Sequence, residues 1–360
     1  MKILHLITTI SLGGAEKQLL TLVKTQVKRG LTVEVIPIKG ETHLLKKFQE
    51  YGASVNTSLL KHNLARQIWI LRRINKSNKT SILHAHLPQS EIYAILSKHN
   101  SQKLIVSRHN TEKFFPKVPK VFSSWISRIV LSKCSNVIAI SKSVKKYLIE
   151  SNEINRNQII EVVYYGIDRN ECNKLKIKQI KFFNDNFLIG TIARLVKQKN
   201  LEILLNAFAE IVKIQNNCRL IIVGEGRLKL KLIELSKKLK IDHLIIWQAK
   251  SENVFEILGQ LNLFVLPSLY EGFGLVYLEA MCAEIPILSS NNNAALEIFG
   301  NNNKILFDVN NYKELATKIK ELMDVNNASE NLKTCRLIIE KFDHIKMEKA
   351  IYNVYSNIAN

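Results

Sequence analysis

Ile3-Leu4-His5-Leu6-Ile7, followed by Gly13-Gly14-Ala15-Glu16 and then by Leu19, Leu20, Val23 and Val27, decides how the chain begins to fold. The apolar run is short and uninterrupted, as in a strand buried on both faces, and the residues after the glycine pair recur at helical spacing. A secretion signal would also start with Lys2 ahead of an apolar stretch, but it would not open into a helix at a glycine pair. The segment reads as the first strand and first helix of an α/β unit.

Working outward, the same alternation repeats. Strands are expected at 3–7, 32–38, 81–84, 103–107, 136–140 and 159–163, and in a second series at 187–193, 219–223, 244–247, 263–266 and 285–288. Short β-branched runs separated by helical patterns imply doubly wound parallel sheets covered by helices on both faces. Residues 168–186 are rich in Lys and Asn without periodicity and are expected to link two halves. Residues 342–358 have helical spacing with no strand after them. A length of 360 residues exceeds what one core usually serves, which fits two domains.

Composition narrows the function classes. The hydrophobic fraction of 46% is ordinary for a folded protein. No stretch approaches the roughly 20 apolar residues that cross a bilayer. The five cysteines are scattered and lack a Cys-x-x-Cys pair, so neither a disulfide nor a zinc framework is expected.

The net charge of +21 is unevenly divided: residues 1–170 hold 27 Lys and Arg against 10 Asp and Glu, the remainder 25 against 21. Such a bias suits an anionic surface, either a membrane or a lipid-pyrophosphate acceptor. Nucleic acid is not an expected partner, because no recognisable binding module accompanies the charge. Within 117–133, Val121, Phe122, Trp125, Ile126 and Ile129 form an apolar helical stripe flanked by Lys117, Lys120, Arg128 and Lys133. That pattern serves a membrane interface or a core-facing helix. The expected location is cytoplasmic, with peripheral attachment to the inner face of the cytoplasmic membrane as the reading the charge suggests.

Parallel sheets gather ligands beyond the carboxyl ends of their strands, where helix N-termini present free N–H groups. The polar motifs fall there. Gly13-Gly14 follows the first strand, and its bare backbone suits a phosphate or simply a turn. Arg194 and Lys199 leave the strand containing Gly190-Thr191-Ile192, a pair of cations suited to a diphosphate or to solvent. In Pro267-Ser268-Leu269-Tyr270-Glu271-Gly272-Phe273-Gly274-Leu275, one carboxylate precedes a helix that carries another, Glu279. The two read as partners of sugar hydroxyls, or as a capping and a surface glutamate. His84-Ala85-His86 has metal-like spacing, but the two rings are expected on opposite faces of their strand, which leaves no metal site.

Taken together, Gly-Gly-Ala-Glu, then Gly-Thr-Ile-Ala-Arg with Lys199 five residues after Arg194, then Glu271-Gly-Phe-Gly-Leu with Glu279, resemble glycosyltransferase family 4. Gly166-Ile167-Asp168 and Gly224-Glu225-Gly226 extend the likeness over nearly the full chain. The resemblance implies the GT-B architecture, two Rossmann-like domains facing a central cleft: 1–170 on the acceptor side, 171–341 binding the nucleotide sugar, and 342–360 as a helix crossing back. It implies a retaining, metal-independent hexosyltransferase that takes its sugar from a nucleotide-diphosphate donor and needs no cofactor. The implied acceptor is a hydroxyl of a glycan or lipid-linked glycan of the cell envelope.

By the same resemblance Arg194 and Lys199 hold the diphosphate, Glu271 the sugar and Glu279 the ribose. Phe273, Gly274 and Leu275 supply amides, Gly13, Gly14 and Gly224 complete the donor site, and His109 is the active-site histidine. Three positions depart from the family pattern: Glu284 and Ala249 where glycine is usual, and Asn291-Asn292-Asn293 in place of a glycine pair. Asparagine tolerates left-handed backbone, so that loop is expected to keep its shape. An epimerase on the same architecture and a non-catalytic sugar-nucleotide binder are the rival readings.

Overall fold

The computed structural model describes residues 1–78, 81–115, 118–155, 157–170, 186–249, 251 and 253–359. Two compact units emerge, Met1–Gly166 with Asp343–Asn360, and Ile167–Phe342. Most of the connection expected at 168–186 lies outside the described residues, as does Cys172; Cys134, Cys218, Cys282 and Cys335 are free thiols.

The first unit builds one sheet from β1 (Lys2–Ile7), β2 (Thr32–Pro37), β3 (Ser54–Val55), β4 (Ile82–His86), β5 (Lys103–Arg108), β6 (Asn136–Ala139) and β7 (Ile160–Val162). Their order is β3-β2-β1-β4-β5-β6-β7, and every pairing is parallel. The second unit uses β8 (Phe187–Ile192), β9 (Cys218–Val223), β10 (Ile245–Gln248), β11 (Leu263–Leu266), β12 (Ile287–Ser290) and β13 (Leu306–Phe307). Its order is β10-β9-β8-β11-β12-β13, again parallel throughout. β4 and β11 are buried at every position, as strands covered on both faces must be. These are two Rossmann-like sheets.

Strand order reverses between β1 and β4, and again between β8 and β11. Loops that leave adjacent strands at such a point run to opposite faces and leave a crevice beyond the carboxyl ends. Two short edge strands, β3 and β13, have no counterpart in the sequence reading. Each has only two residues, too few for a periodic signal.

Separate cores hold the units. Leu204, Phe208, Leu220, Ile222, Val265, Leu288 and Ile319 anchor the second. In the first, Ile3, Ile7, Leu22, Val35, Phe48 and Ile105 pack with Met347, Ile351, Val354 and Tyr355 of the terminal helix His344–Ala359. Arg29 donates to both carboxylate oxygens of Glu348 at 2.8 Å, tying that helix to the end of the helix Gly14–Lys28. Among the described residues no helix is long and apolar enough to cross a membrane.

The helix Lys120–Ser132 turns its serines inward: Ser123, Ser124 and Ser127 are buried with Val130 and Leu131. Val121 is 77% exposed, Phe122 63%, Trp125 61% and Ile129 43%. The apolar stripe therefore faces solvent and not the core; Lys117, one of its expected flanking charges, lies outside the described residues.

Two departures from the family pattern have local explanations. The helix Leu275–Cys282 ends with Glu284 N–H on Met281 C=O and Ile285 N–H on Ala280 C=O, the Schellman arrangement whose left-handed position favours glycine. Glu284 occupies it at φ 58°. The expectation for Asn291-Asn292-Asn293 is corrected, because none of the three has positive φ. Asn292 instead caps the helix Asn293–Phe299, its side chain accepting from the amides of Ala294 and Ala295. Replacing Glu284 by Gly should relieve the left-handed strain at the cost of an exposed ion pair with Arg336. The expected net gain is roughly 1 kcal/mol, read as a higher urea midpoint; a lower midpoint would contradict it.

Candidate functional site

In the second unit the loops from β8 and β11 bring their polar residues together at the reversal point. Lys199 closes a short 3-10 turn, Lys197–Lys199, and its Nζ donates to Glu271 Oε1 at 2.5 Å. Both side chains are largely withdrawn from water, at 13% and 8% exposure, so this ion pair is far less screened than a surface pair. Arg194 is exposed and donates through Nη2 to Gln198 Oε1 at 3.2 Å. Gln198 in turn donates to the Tyr270 carbonyl at 2.9 Å, and its own carbonyl accepts from Leu269 N–H at 2.8 Å. Sequence reasoning passed over Gln198, yet it stitches the two loops and positions Arg194.

Gly274 is the N-cap of the helix Leu275–Cys282, at φ 87°, and offers no side chain to the first-turn amides. A Cβ there would meet the Tyr277 ring at 2.5 Å, so the bare approach is built in. Phe273 is buried against the Phe342 ring. Glu279, inside the helix, is 8% exposed. Gly224 lies at φ 140°, where a Cβ would fall 2.0 Å from the Ala193 carbonyl oxygen. Its glycine lets the β9 loop press on the loop that carries Arg194. Gly224 thus acts on local backbone packing, whatever it contributes to a ligand.

In the first unit Gly13 caps the helix Gly14–Lys28, and the Glu16 carboxylate folds over it, close enough to exclude a Cβ. Glu16 accepts from Thr9 Oγ1 at 2.6 Å. An internal carboxylate thus already sits near the positive end of this helix dipole, while Gly14 itself faces open space.

His109 follows β5, with both ring nitrogens engaged: Nδ1 with the Tyr165 hydroxyl at 2.5 Å and Nε2 with His86 Nδ1 at 3.3 Å. The expectation that His84 and His86 point to opposite faces is wrong. Residues two apart on a strand share a face, and the rings lie 4.1 Å apart between centroids. Parallel register sets His5 of β1 beside His84, and His5, His84 and His86 form a buried group of potential metal ligands within 4.8 Å of one another. Every one of their ring nitrogens is also hydrogen-bonded: His5 to His86 and Gln26, His84 to Tyr355 and Ser107, His86 to His5 and His109. Period-two histidines on a buried strand were the available signal.

Arg108, one residue before His109, turns to the opposite face. Its guanidinium meets Glu91 at 2.9 Å, Glu153 at 2.9 Å and Ser127 at 2.7 Å, and stacks on Phe114. Burial pushes the Glu91 carboxyl up to about 7, against the pull of Arg108. Burial also holds His5 down at about 4, and burial with the Arg108 charge holds His109 at about 3; His84 and His86 lie well below their usual value.

The two effects oppose each other in acid. The histidines stabilise the fold fully above pH 6.5 and lose that contribution as pH falls toward 4, since the unfolded chain binds protons that the folded one refuses. Glu91 works the other way, its contribution fading as pH rises from 4.5 through 7. Four refused protons outweigh one retained, so the thermal midpoint should climb between pH 5 and 6.5. A flat or falling midpoint across that interval would refute the assignment.

Comparison with known proteins bears on both halves. Residues 12–171 match the model described as Glycosyltransferase Family 4, and residues 173–335 the one described as Glycosyl transferases group 1. The capsular polysaccharide biosynthesis glycosyltransferase CapM of Staphylococcus aureus is 28% identical over 58% of this chain and 57% of its own length. The O-antigen biosynthesis glycosyltransferase WclY of Escherichia coli is 31% identical over 55% of each. The chain thus spans about half the length of these curated relatives. A crystal structure of Anabaena HepE in complex with UDP and glucose superposes with a TM-score of 0.83 at 19% identity, covering 99% of this chain and 100% of that one. Two Rossmann-like sheets, the shared GT-B fold and family matches that together run from residue 12 to 335 place this chain in glycosyltransferase family 4.

Proposed function

We propose that the chain is a retaining glycosyltransferase that moves a hexose from a nucleotide-diphosphate sugar to a hydroxyl of a cell-envelope glycan or lipid-linked glycan. The observation that carries this reading is the cluster at the β8–β11 reversal: a shielded Lys199–Glu271 pair, Arg194 held by Gln198, and the uncapped helix N-terminus at Gly274. Leaving diphosphate develops negative charge, and fixed cations and amide dipoles in a poorly screened site stabilise it most. Arg194, Lys199 and the amides around Phe273, Gly274 and Leu275 take that role, so the proposal calls for no metal ion and no other cofactor.

Glu271 is proposed to bind sugar hydroxyls while keeping Lys199 in place, and Glu279 to bind the ribose. Gly13 and Gly14 are proposed as phosphate contacts of the first unit, with Gly224 shaping the donor loop and His109 acting on the acceptor side. Front-face attack assisted by the leaving phosphate is the proposed course, with Glu271 engaged by Lys199 and binding hydroxyls. The names of CapM and WclY, and the UDP and glucose in HepE, support this class of donor and product.

The test is release of nucleoside diphosphate from UDP, GDP and ADP sugars with and without acceptor. Arg194→Ala with Lys199→Ala should lower kcat by roughly 10²-fold or more, a larger loss than the fall in stability expected from leaving Glu271 without its partner. Near-normal transfer by the double variant would sink the assignment. Glu279→Gln should chiefly raise the donor KM, whereas Glu271→Gln should cut kcat with donor saturating.

A second element of the proposal concerns where the acceptor is met. The outward apolar stripe of Lys120–Ser132, on a half carrying 27 basic against 10 acidic residues, fits peripheral docking on an anionic membrane. Each Lys or Arg near such a surface contributes about 1 kcal/mol. Phe122→Ser with Trp125→Ser should abolish cosedimentation with anionic vesicles, and high salt should weaken it in the parent chain. Absence of binding to anionic vesicles at low salt would point to an acceptor in solution.

A further inference from the structure

The buried histidines of the first unit belong to one unbroken hydrogen-bonded chain. From His109 it runs through His86 (3.3 Å) and His5 (2.9 Å) to the Gln26 amide oxygen (2.8 Å). The Gln26 amide nitrogen donates to the Tyr355 hydroxyl at 3.2 Å, which meets His84 Nδ1 at 2.7 Å, and His84 Nε2 meets Ser107 Oγ at 2.7 Å. At the other end Tyr165 contacts His109 Nδ1.

A neutral imidazole has one N–H and one lone pair, so the role of one nitrogen dictates the other. Burial keeps these rings neutral. Gln26 is the one member whose two ends differ chemically. Its oxygen can only accept, so His5 carries its proton on Nε2 and accepts at Nδ1; His86 must then donate from Nε2, and His109 likewise. On the other arm Tyr355 accepts from the amide and donates to His84 Nδ1, so His84 too carries its proton on Nε2. Turning one ring alone would set donor against donor and acceptor against acceptor, and each unmet buried group costs about 1–3 kcal/mol. The chain therefore orders as a whole.

We propose that Gln26, acting through His5 and His86, fixes His109 as the tautomer with its proton on Nε2, so that Nδ1 presents a lone pair to a hydroxyl. Tyr165 supplies that hydroxyl in this structure, and a hydroxyl of a sugar or acceptor is the chemical equivalent. Gln26, His5 and His86 are positioning residues. The inference rests on the proposed role of His109, but the tautomer is read without turnover.

The experiment is a long-range proton–nitrogen correlation spectrum of the full chain labelled with nitrogen-15 histidine. His5, His84, His86 and His109 should all report protonated Nε2 and bare Nδ1. In Gln26→Glu burial should keep the carboxyl protonated, as it raises Glu91; its carbonyl accepts from His5 and its hydroxyl donates to Tyr355, so all four rings should keep protonated Nε2. In Gln26→Met the His109 signal should become a mixture of tautomers, and kcat should fall roughly 10-fold, recovering in Gln26→Glu.

Protonated Nδ1 on His109 in the parent chain would overturn the proposal. So would an unchanged His109 tautomer in Gln26→Met, or joint displacement of the ring signals by one equivalent of zinc. The parent spectrum decides even where a variant fails to fold. Full transfer activity in His109→Ala would overturn the catalytic reading while leaving the tautomer result intact.

Discussion

Parallel pairing of β8 with β11 is the constraint on which the chemistry of the second unit depends, because it sends the loops of two neighbouring strands out of the same end of the sheet. With both sheet faces covered by helices, that end is where backbone and polar side chains meet water together. Arg194, Gln198 and Lys199 arrive on one loop and Tyr270, Glu271 and Gly274 on the other, and the Lys199–Glu271 pair joins them. A lysine held by a carboxylate at 8% exposure has lost most of its freedom before any ligand arrives. Preorganised charge of this kind is effective toward a leaving diphosphate because little reorganisation is left to be done.

The first unit meets the same constraint with different chemistry. Its strand ends carry the imidazoles of His86 and His109, and Arg108 at the end of β5, the one deeply buried Lys or Arg among the described residues, is spent on Glu91 and Glu153. Breaking such a pair from one side leaves an uncompensated charge in the interior. Since Arg108 and His109 are consecutive, the network on one face also fixes the end of β5 from which the ring on the other face departs.

Much of this was legible in the residue string, and the reasons are specific. Buried strands such as β1 and β11 announce themselves as apolar runs, and loop chemistry announces itself at their ends. The two-residue strands β3 and β13 could not, since two residues have no period. The helix Lys120–Ser132 was legible as amphipathic, but which face points inward depends on Ser127 reaching Arg108 across nineteen positions, and periodicity carries no such information. Glu284 and Asn292 show a different limit. Each departs from a glycine pattern, but one tolerates left-handed backbone and the other removes the need for it by capping a helix. The histidine cluster was legible and misread: alternate residues on β4 share a face, and the partner His5 is set by register with β1.

The division of the chain has a consequence for its synthesis. The first unit is closed by Asp343–Asn360, whose Tyr355 completes both its core and its hydrogen-bonded chain. These residues leave the ribosome only after the whole of the second unit. The second unit, continuous from Ile167 to Phe342, can complete its core while the earlier half still waits for its final helix. N-terminal domains generally fold first during translation; here the order of completion is inverted, and the nascent first half must remain soluble with an apolar groove open where Met347, Ile351 and Val354 will later lie.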